Sequence, residues 1–136
     1  MLIKPAKDGT QNVLDTASQN SSVKRVVLTS SVAAIMGDAV EGQVLPNNTF
    51  TDSQWNTSST VGHKPYAFSK TVAEKTAWKL QADQEQWDLV TVNPGFVFGP
   101  SLSKRSDSTS VEFVMDLANG KFLFGLPEMY SSIVDV

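Results

Sequence analysis

Apolar residues along this 136-residue chain fall into blocks whose spacing changes from one segment to the next. Near the start, "IKPAKDGTQNVLDTAS" puts Val13, Leu14 and Ala17 on one side of a helical projection, which predicts a short, one-sided helix over most of residues 3 to 18 with Gly9 as its weak point. The block "KRVVLTSS" at 24 to 31 is continuous, β-branched and ends abruptly in hydroxyls, the pattern of a strand buried on both faces. A second helix is predicted behind Pro65, from Tyr66 to about Ala82, with Ala73, Ala77 and Leu80 on one stripe and Lys75 and Lys79 on another. Then "WDLVTVNPGFVFGP" reads as a strand from Asp88 to Val92, stopped by Asn93-Pro94, and a compact apolar loop closed by Gly99-Pro100.

Further on, "SLSKRSDSTS" reads as loop, Thr109 and Glu112 have capping-box spacing for a helix through Asn119 ended by Gly120, and "SSIVDV" reads as a strand. Strand, helix, strand is the alternation of a parallel sheet with flanking helices, an α/β fold. Residues 37 to 62, rich in Gly, Asn, Thr and Ser, interrupt it as an irregular excursion too long for a simple connection, so a functional role is expected there. Because the pattern opens inside a helix, closes inside a strand and shows three clear strands, the expectation is the central part of a larger domain.

Composition narrows the chemistry. A formal net charge of -3 with 11 scattered basic residues leaves no cationic stripe for nucleic acid. The count of cysteines is 0, which removes disulfides, thiolate metal sites and thiol nucleophiles and fits a cytoplasmic setting. His63 is the single histidine and reads as a loop residue, so no metal site is expected. No apolar run reaches membrane-spanning length, and "MLIKPAKDG" does not have the charge and apolar pattern of a leader. Asn20, Asn47 and Asn56 open N-x-S/T triplets and read as polar loop residues.

Tyr66 and Lys70, four apart, share a helix face, and the stripe through Ala73 and Ala77 aims Lys70 along the buried side. Such a pair is compatible with an aromatic and a charge that merely neighbour one another. It gains chemical meaning from its setting, since a phenol with a pKa of about 10 exchanges protons poorly at neutral pH unless a nearby ammonium favours the phenolate. Ser31 either only closes off a parallel strand or, projecting into the crevice where open α/β sheets bind ligands, donates a hydrogen bond to a carbonyl oxygen. After the next strand, Pro94 and Gly95 force a tight path that leaves main-chain groups for a flat ligand, or simply make a hydrophobic turn.

In that order, "VVLTSSVAAI", "PYAFSKTVAEKTAW" and "VTVNPGFVFGPSL" resemble the middle of an extended short-chain dehydrogenase/reductase of the NAD-dependent epimerase/dehydratase family. "TFTDSQW" and "AEKTAW" are similar to the dihydroflavonol reductase-like branch more than to the sugar epimerases. The resemblance implies that residues 1–136 are a partial NAD(P)-binding Rossmann domain without the N-terminal G-x-x-G-x-x-G motif and most of the C-terminal substrate lobe. It implies an oxidoreductase that takes NADP, or else NAD, and reduces a ketone or aldehyde to an alcohol by a Ser-Tyr-Lys mechanism, with Ser31, Tyr66 and Lys70 catalytic. By the same resemblance Thr29, Ser30, Tyr66, Lys70, Pro94 and Val97 contact the cofactor, and Phe96 and the Gly37 to Gly62 loop shape the substrate side. The partner expected is a small-molecule carbonyl substrate, with neither nucleic acid nor membrane. An epimerase or dehydratase of the same family, and an inactive truncated or regulatory relative, are the other readings.

Overall fold

The computed structural model describes residues 2–100, 108–125 and 132–135. They form two compact units, Met1–Asn93 and Pro94–Val136. The polar stretch 101–107, read from sequence as loop, lies outside the described residues.

In the first unit, helix α1 (Ile3–Ser18) leads to strand β1 (Arg25–Thr29), a 3-10 turn at Val32–Ala34, the one-turn helix α2 (Ala39–Gly42) and a second 3-10 turn at Pro46–Asn48. The long helix α3 (Pro65–Ala82) and strand β2 (Asp88–Val92) complete it. β1 and β2 pair in parallel, in register from Arg25 opposite Asp88 to Thr29 opposite Val92. Side chains alternate along a strand, so Val26, Leu28 and Leu89 point to one face. There they meet α1 and α3 in a core of Leu14, Ala77, Trp87 and Leu89, flanked by Val23 and Leu80. Burying a leucine here contributes about 1.5–3 kcal/mol. The Trp87 indole joins the core without leaving its N–H unpaired, because it donates to Ser18 Oγ at 3.0 Å.

The opposite face carries Val27, Val90 and Val92, which are 61%, 41% and 47% exposed. The continuous β-branched block predicts cover on both faces, whereas the helices of this unit cover one. At the start of the open face the Arg25 guanidinium pairs with the Asp88 carboxylate across the strand register. That contact raises the guanidinium pKa and holds the Asp88 carboxyl below its usual range.

α3 begins where Pro65, with φ already set, follows Lys64 in the left-handed region at φ 53 and ψ 58. The Phe68 amide closes the first turn onto the Lys64 carbonyl at 3.0 Å. Its buried positions are Ser69, Thr71, Glu74 and Ala77, small residues apart from one carboxylate, and this lets the helix approach the sheet closely. The excursion between β1 and α3, read from sequence as loop, contains α2 and the Pro46–Asn48 turn.

In the second unit, β3 (Phe96–Phe98) pairs in parallel with β4 (Ile133–Asp135). The apolar run after Pro94, read from sequence as a loop, is therefore a three-residue strand. Gly95 permits it: a Cβ at this position would sit 2.1 Å from Ser132 Oγ and 2.2 Å from its carbonyl oxygen. Helix α4 (Thr109–Ala118) packs on β3, with the Phe96 and Phe113 rings stacked 5.8 Å apart. Its N-cap is Ser108, whose Oγ accepts from the Val111 amide at 3.3 Å, one residue earlier than the Thr109 capping box predicts. The turn after α4 closes at Gly120, which takes φ 73.

Candidate active site

β1 delivers its hydroxyls in a defined order. The Ser30 amide donates to the Val92 carbonyl at 2.8 Å, carrying the parallel ladder one residue past the strand. Ser31 then leaves in an extended conformation, φ -166 and ψ 151, and its Oγ accepts from the Ala33 amide at 3.2 Å to cap the Val32–Ala34 turn. That bond uses a lone pair of Oγ, and the O–H is a separate donor. α3 packs directly on this turn, so Ser31 and the helix bearing Tyr66 and Lys70 are neighbouring elements.

Tyr66 lies in the first turn of α3 and is 53% exposed. Lys70, one turn later and half-buried, places Nζ 5.8 Å from the centre of the Tyr66 ring, within range of a cation–π interaction. Lys70 also lines a cavity of about 240 Å³ with Leu28, Thr29, Ser30, Ala73 and Glu74. Of the predicted positions, Thr29, Ser30 and Lys70 thus share one cavity at the C-terminal end of β1. Pro94, Phe96 and Val97 belong to the second unit, where Val97 lines a separate cavity of about 450 Å³ with Phe98, Val111, Val114 and Met115.

Several residues given no site role in the sequence reading hold this arrangement. Asn56, expected as a polar loop residue, is 4% exposed. Its Nδ2 donates to the Ala33 carbonyl and to Ser59 Oγ, both at 2.8 Å, while its Oδ1 accepts from the Ser59 amide at 3.0 Å. The Asn56 amide reaches the Ala34 carbonyl at 2.9 Å, so one side chain and its backbone pin the excursion to the turn that Ser31 caps. Glu74, also 4% exposed, accepts from Asn93 Nδ2 at 2.8 Å, and the same nitrogen donates to the Ser31 carbonyl at 3.0 Å. Its position one turn after Lys70, on the small-residue face of the helix, is the signal in the sequence that marks Glu74 as a carboxylate needing a partner.

The excursion is fastened at two more carboxylates. His63 Nε2 lies 2.9 and 3.1 Å from the Asp38 carboxylate oxygens, and Lys64 forms an ion pair with the same group. Hydrogen bonds from Lys64 and then His63 hold the Asp38 carboxyl below its ordinary pKa. For Glu41 burial pushes upward, but Thr57 and Ser58 donate to Oε1 and the net direction is downward. Glu41 and Asp38 communicate through Ser58, whose Oγ accepts from the Asp38 amide at 2.7 Å. Lys75 Nζ, 5.1 Å from the Trp55 ring centre, ties the excursion to α3 as well. Phe50, Trp55 and Leu45 line an apolar cavity of about 370 Å³ within it. Among the described residues, no group of three or more His, Asp or Glu is placed to hold a metal, and no helix is long and apolar enough to cross a membrane.

A parallel strand pair under two helices, with Thr29, Ser30 and Lys70 lining one cavity at the carboxyl end of a strand, is part of a Rossmann-type domain. The chain belongs to the NAD dependent epimerase/dehydratase family, whose sequence model matches residues 3–131. It is 40% identical over 126 residues to cinnamoyl-CoA reductase CAD2 of Medicago truncatula, covering 90% of this chain and 37% of that protein. It is also 40% identical over 121 residues to a (2S)-flavan-3-ol-forming anthocyanidin reductase of Vitis vinifera, covering 88% of this chain and 35% of the relative. The crystal structure of Gre2 from Candida albicans superposes with a TM-score of 0.75 at 29% identity, over 98% of this chain and 43% of that one. An NADPH complex of Gre2 from the same organism gives a TM-score of 0.69 at 28% identity, over 98% of this chain and 43% of that one. The chain therefore spans well under half the length of these relatives.

Proposed function

We propose that these residues supply the proton-transfer part of an NADP(H)-dependent reductase that converts a ketone or aldehyde to an alcohol. The observation that carries the reading is Lys70, whose Nζ stands 5.8 Å from the Tyr66 ring centre while its side chain shares a cavity with Thr29 and Ser30. An ammonium and two hydroxyl-bearing residues around one cavity suit the hydroxyls of a nucleotide ribose, and the NADPH-bound relative supports NADP over NAD. When bound, the nicotinamide supplies a hydride to the carbonyl carbon.

The protein's own part is to hold and protonate the carbonyl oxygen. Ser31 donates its O–H to that oxygen and fixes it beside the phenol. Tyr66 transfers its proton to the oxygen as negative charge builds there, and the Lys70 ammonium stabilises the phenolate left behind. Pro94 and Val97 are assigned to the cofactor and Phe96 to the substrate side, together with the excursion from Gly37 to Gly62. The relatives above are reductases, which favours net reduction over epimerisation or dehydration.

The test is a chimaera in which residues 3–131 replace the matching segment of cinnamoyl-CoA reductase CAD2 of Medicago truncatula, which supplies the rest of the chain. Oxidation of NADPH dependent on added aldehyde or ketone is expected. A folded chimaera that binds NADPH yet consumes none with any carbonyl would overturn the reading.

A further inference from the structure

The Asn93 side-chain amide has two N–H groups, and the structure directs Nδ2 at two acceptors on different elements. One is the Ser31 carbonyl at 3.0 Å, the other Glu74 Oε2 at 2.8 Å. An oxygen in place of that nitrogen would face two acceptors, so the chemistry requires a donor there. Glu74 is 4% exposed, and its second oxygen, Oε1, lies 3.4 Å from the Trp78 indole nitrogen. A carboxylate removed from water is retained where hydrogen bonds satisfy it, and these two donors come from the end of β2 and from one turn further along α3.

We propose that Asn93 and Glu74 are positioning residues that set the catalytic serine against the catalytic helix. The reason lies in what each end of the bridge is attached to. Glu74 is one turn after Lys70 and two turns after Tyr66 on the rigid helix α3. The Ser31 carbonyl belongs to the peptide that leaves Ser31, while the amide just before Ser31, that of Ser30, is already held by the Val92 carbonyl at 2.8 Å. With the chain held on both sides of Ser31, the direction of its Cα–Cβ bond is held too, and the Ala33 amide restrains the rotation that places Oγ. The Asn56 contacts then hold the turn that follows. The bridge makes the distance from Ser31 to Tyr66 and Lys70 a property of part-buried hydrogen bonds rather than of the excursion between them. This role rests on the reductase reading above, whereas the bridge itself does not.

Two measurements separate the two. In the 136-residue chain, 15N NMR is expected to show slowly exchanging Asn93 side-chain protons, and Glu74→Gln is expected to shift both these and the Val32 amide, which shares a peptide with the Ser31 carbonyl. Asn93 protons that exchange like a solvated amide, or a Val32 amide unmoved by Glu74→Gln, would overturn the bridge. In the chimaera, Glu74→Gln and Asn93→Asp are each expected to slow single-turnover hydride transfer from deuterated NADPH on the order of a hundredfold. The KM for NADPH stays unchanged in Asn93→Asp, whose side chain lies outside the cavity lining, and the double variant is no slower than the slower single one, because both remove the same link. Rates at the parent level, or losses that multiply in the double variant, would overturn the positioning role. A parent chimaera that transfers no hydride refutes the reductase reading instead, and the NMR result then decides the bridge alone.

Discussion

Lys70 reaches over Tyr66 from one helical turn away, with Nζ 5.8 Å from the ring centre, while the same lysine lines the cavity at the C-terminal end of β1. The two residues therefore differ in what they touch, and their substitutions are expected to differ in kind. In the chimaera, Lys70→Met is expected to lower the chemical rate and to raise the KM for NADPH, because it removes both the charge beside the phenol and a wall of the ribose cavity. A Lys70→Met variant with an unchanged KM for NADPH would remove Lys70 from cofactor binding.

Three paired carboxylates, Asp38 and Glu41 in the excursion and Asp88 at the start of β2, predict an acid limb of stability. The pKa values of Asp38, Glu41 and Asp88 are all lowered from ordinary values of 3.8, 4.5 and 3.8. A group whose folded pKa is depressed binds fewer protons when folded, so its contribution is present above the unfolded pKa and is lost as pH falls through the folded one. The urea midpoint of the 136-residue chain is expected to be flat at neutral pH and to fall as pH drops below about 4. Asp38→Asn should lower the midpoint at pH about 6 and flatten the acid fall, since protonation then has one fewer linked group to act on. Parallel curves for Asp38→Asn and the parent would show that the His63 and Lys64 contacts contribute nothing.

Asn56→Ala leaves the Ser59 amide and the Ala33 carbonyl facing a small buried void. Each lost partner costs about 1–3 kcal/mol, so the variant is expected to be strongly destabilised in equilibrium urea unfolding. A loss below about 0.5 kcal/mol would place Asn56 among ordinary surface polar residues.

The elements visible in the sequence are those whose signal is local. α3 announces itself through Pro65 and the small-residue stripe to Ala77, and β1 and β2 through uninterrupted β-branched blocks. The same blocks hide which face is covered: "VVL" does not alternate, so the sequence cannot tell that Val26 and Leu28 meet helices of this unit while Val27 is 61% exposed. β3 is short, follows Pro94-Gly95, and exists because β4 pairs with it from 37 residues later, Phe96 opposite Ile133. Tyr66 and Lys70 were legible because four-residue spacing on a helix is a local geometry. The partners of Asn56, Glu74 and Asn93 were not, since they come from other elements: Ala33 for Asn56, Asn93 for Glu74 and Ser31 for Asn93.

The central claim is that the phenol of Tyr66 gives its proton to the substrate oxygen. Single-turnover reduction by the chimaera with Tyr66→Phe tests it most directly, with NADPH binding followed by nucleotide fluorescence in the same samples. The account predicts a rate lower by about 10²–10⁴ with nucleotide affinity retained. Turnover equal to the parent, with NADPH bound, would contradict it.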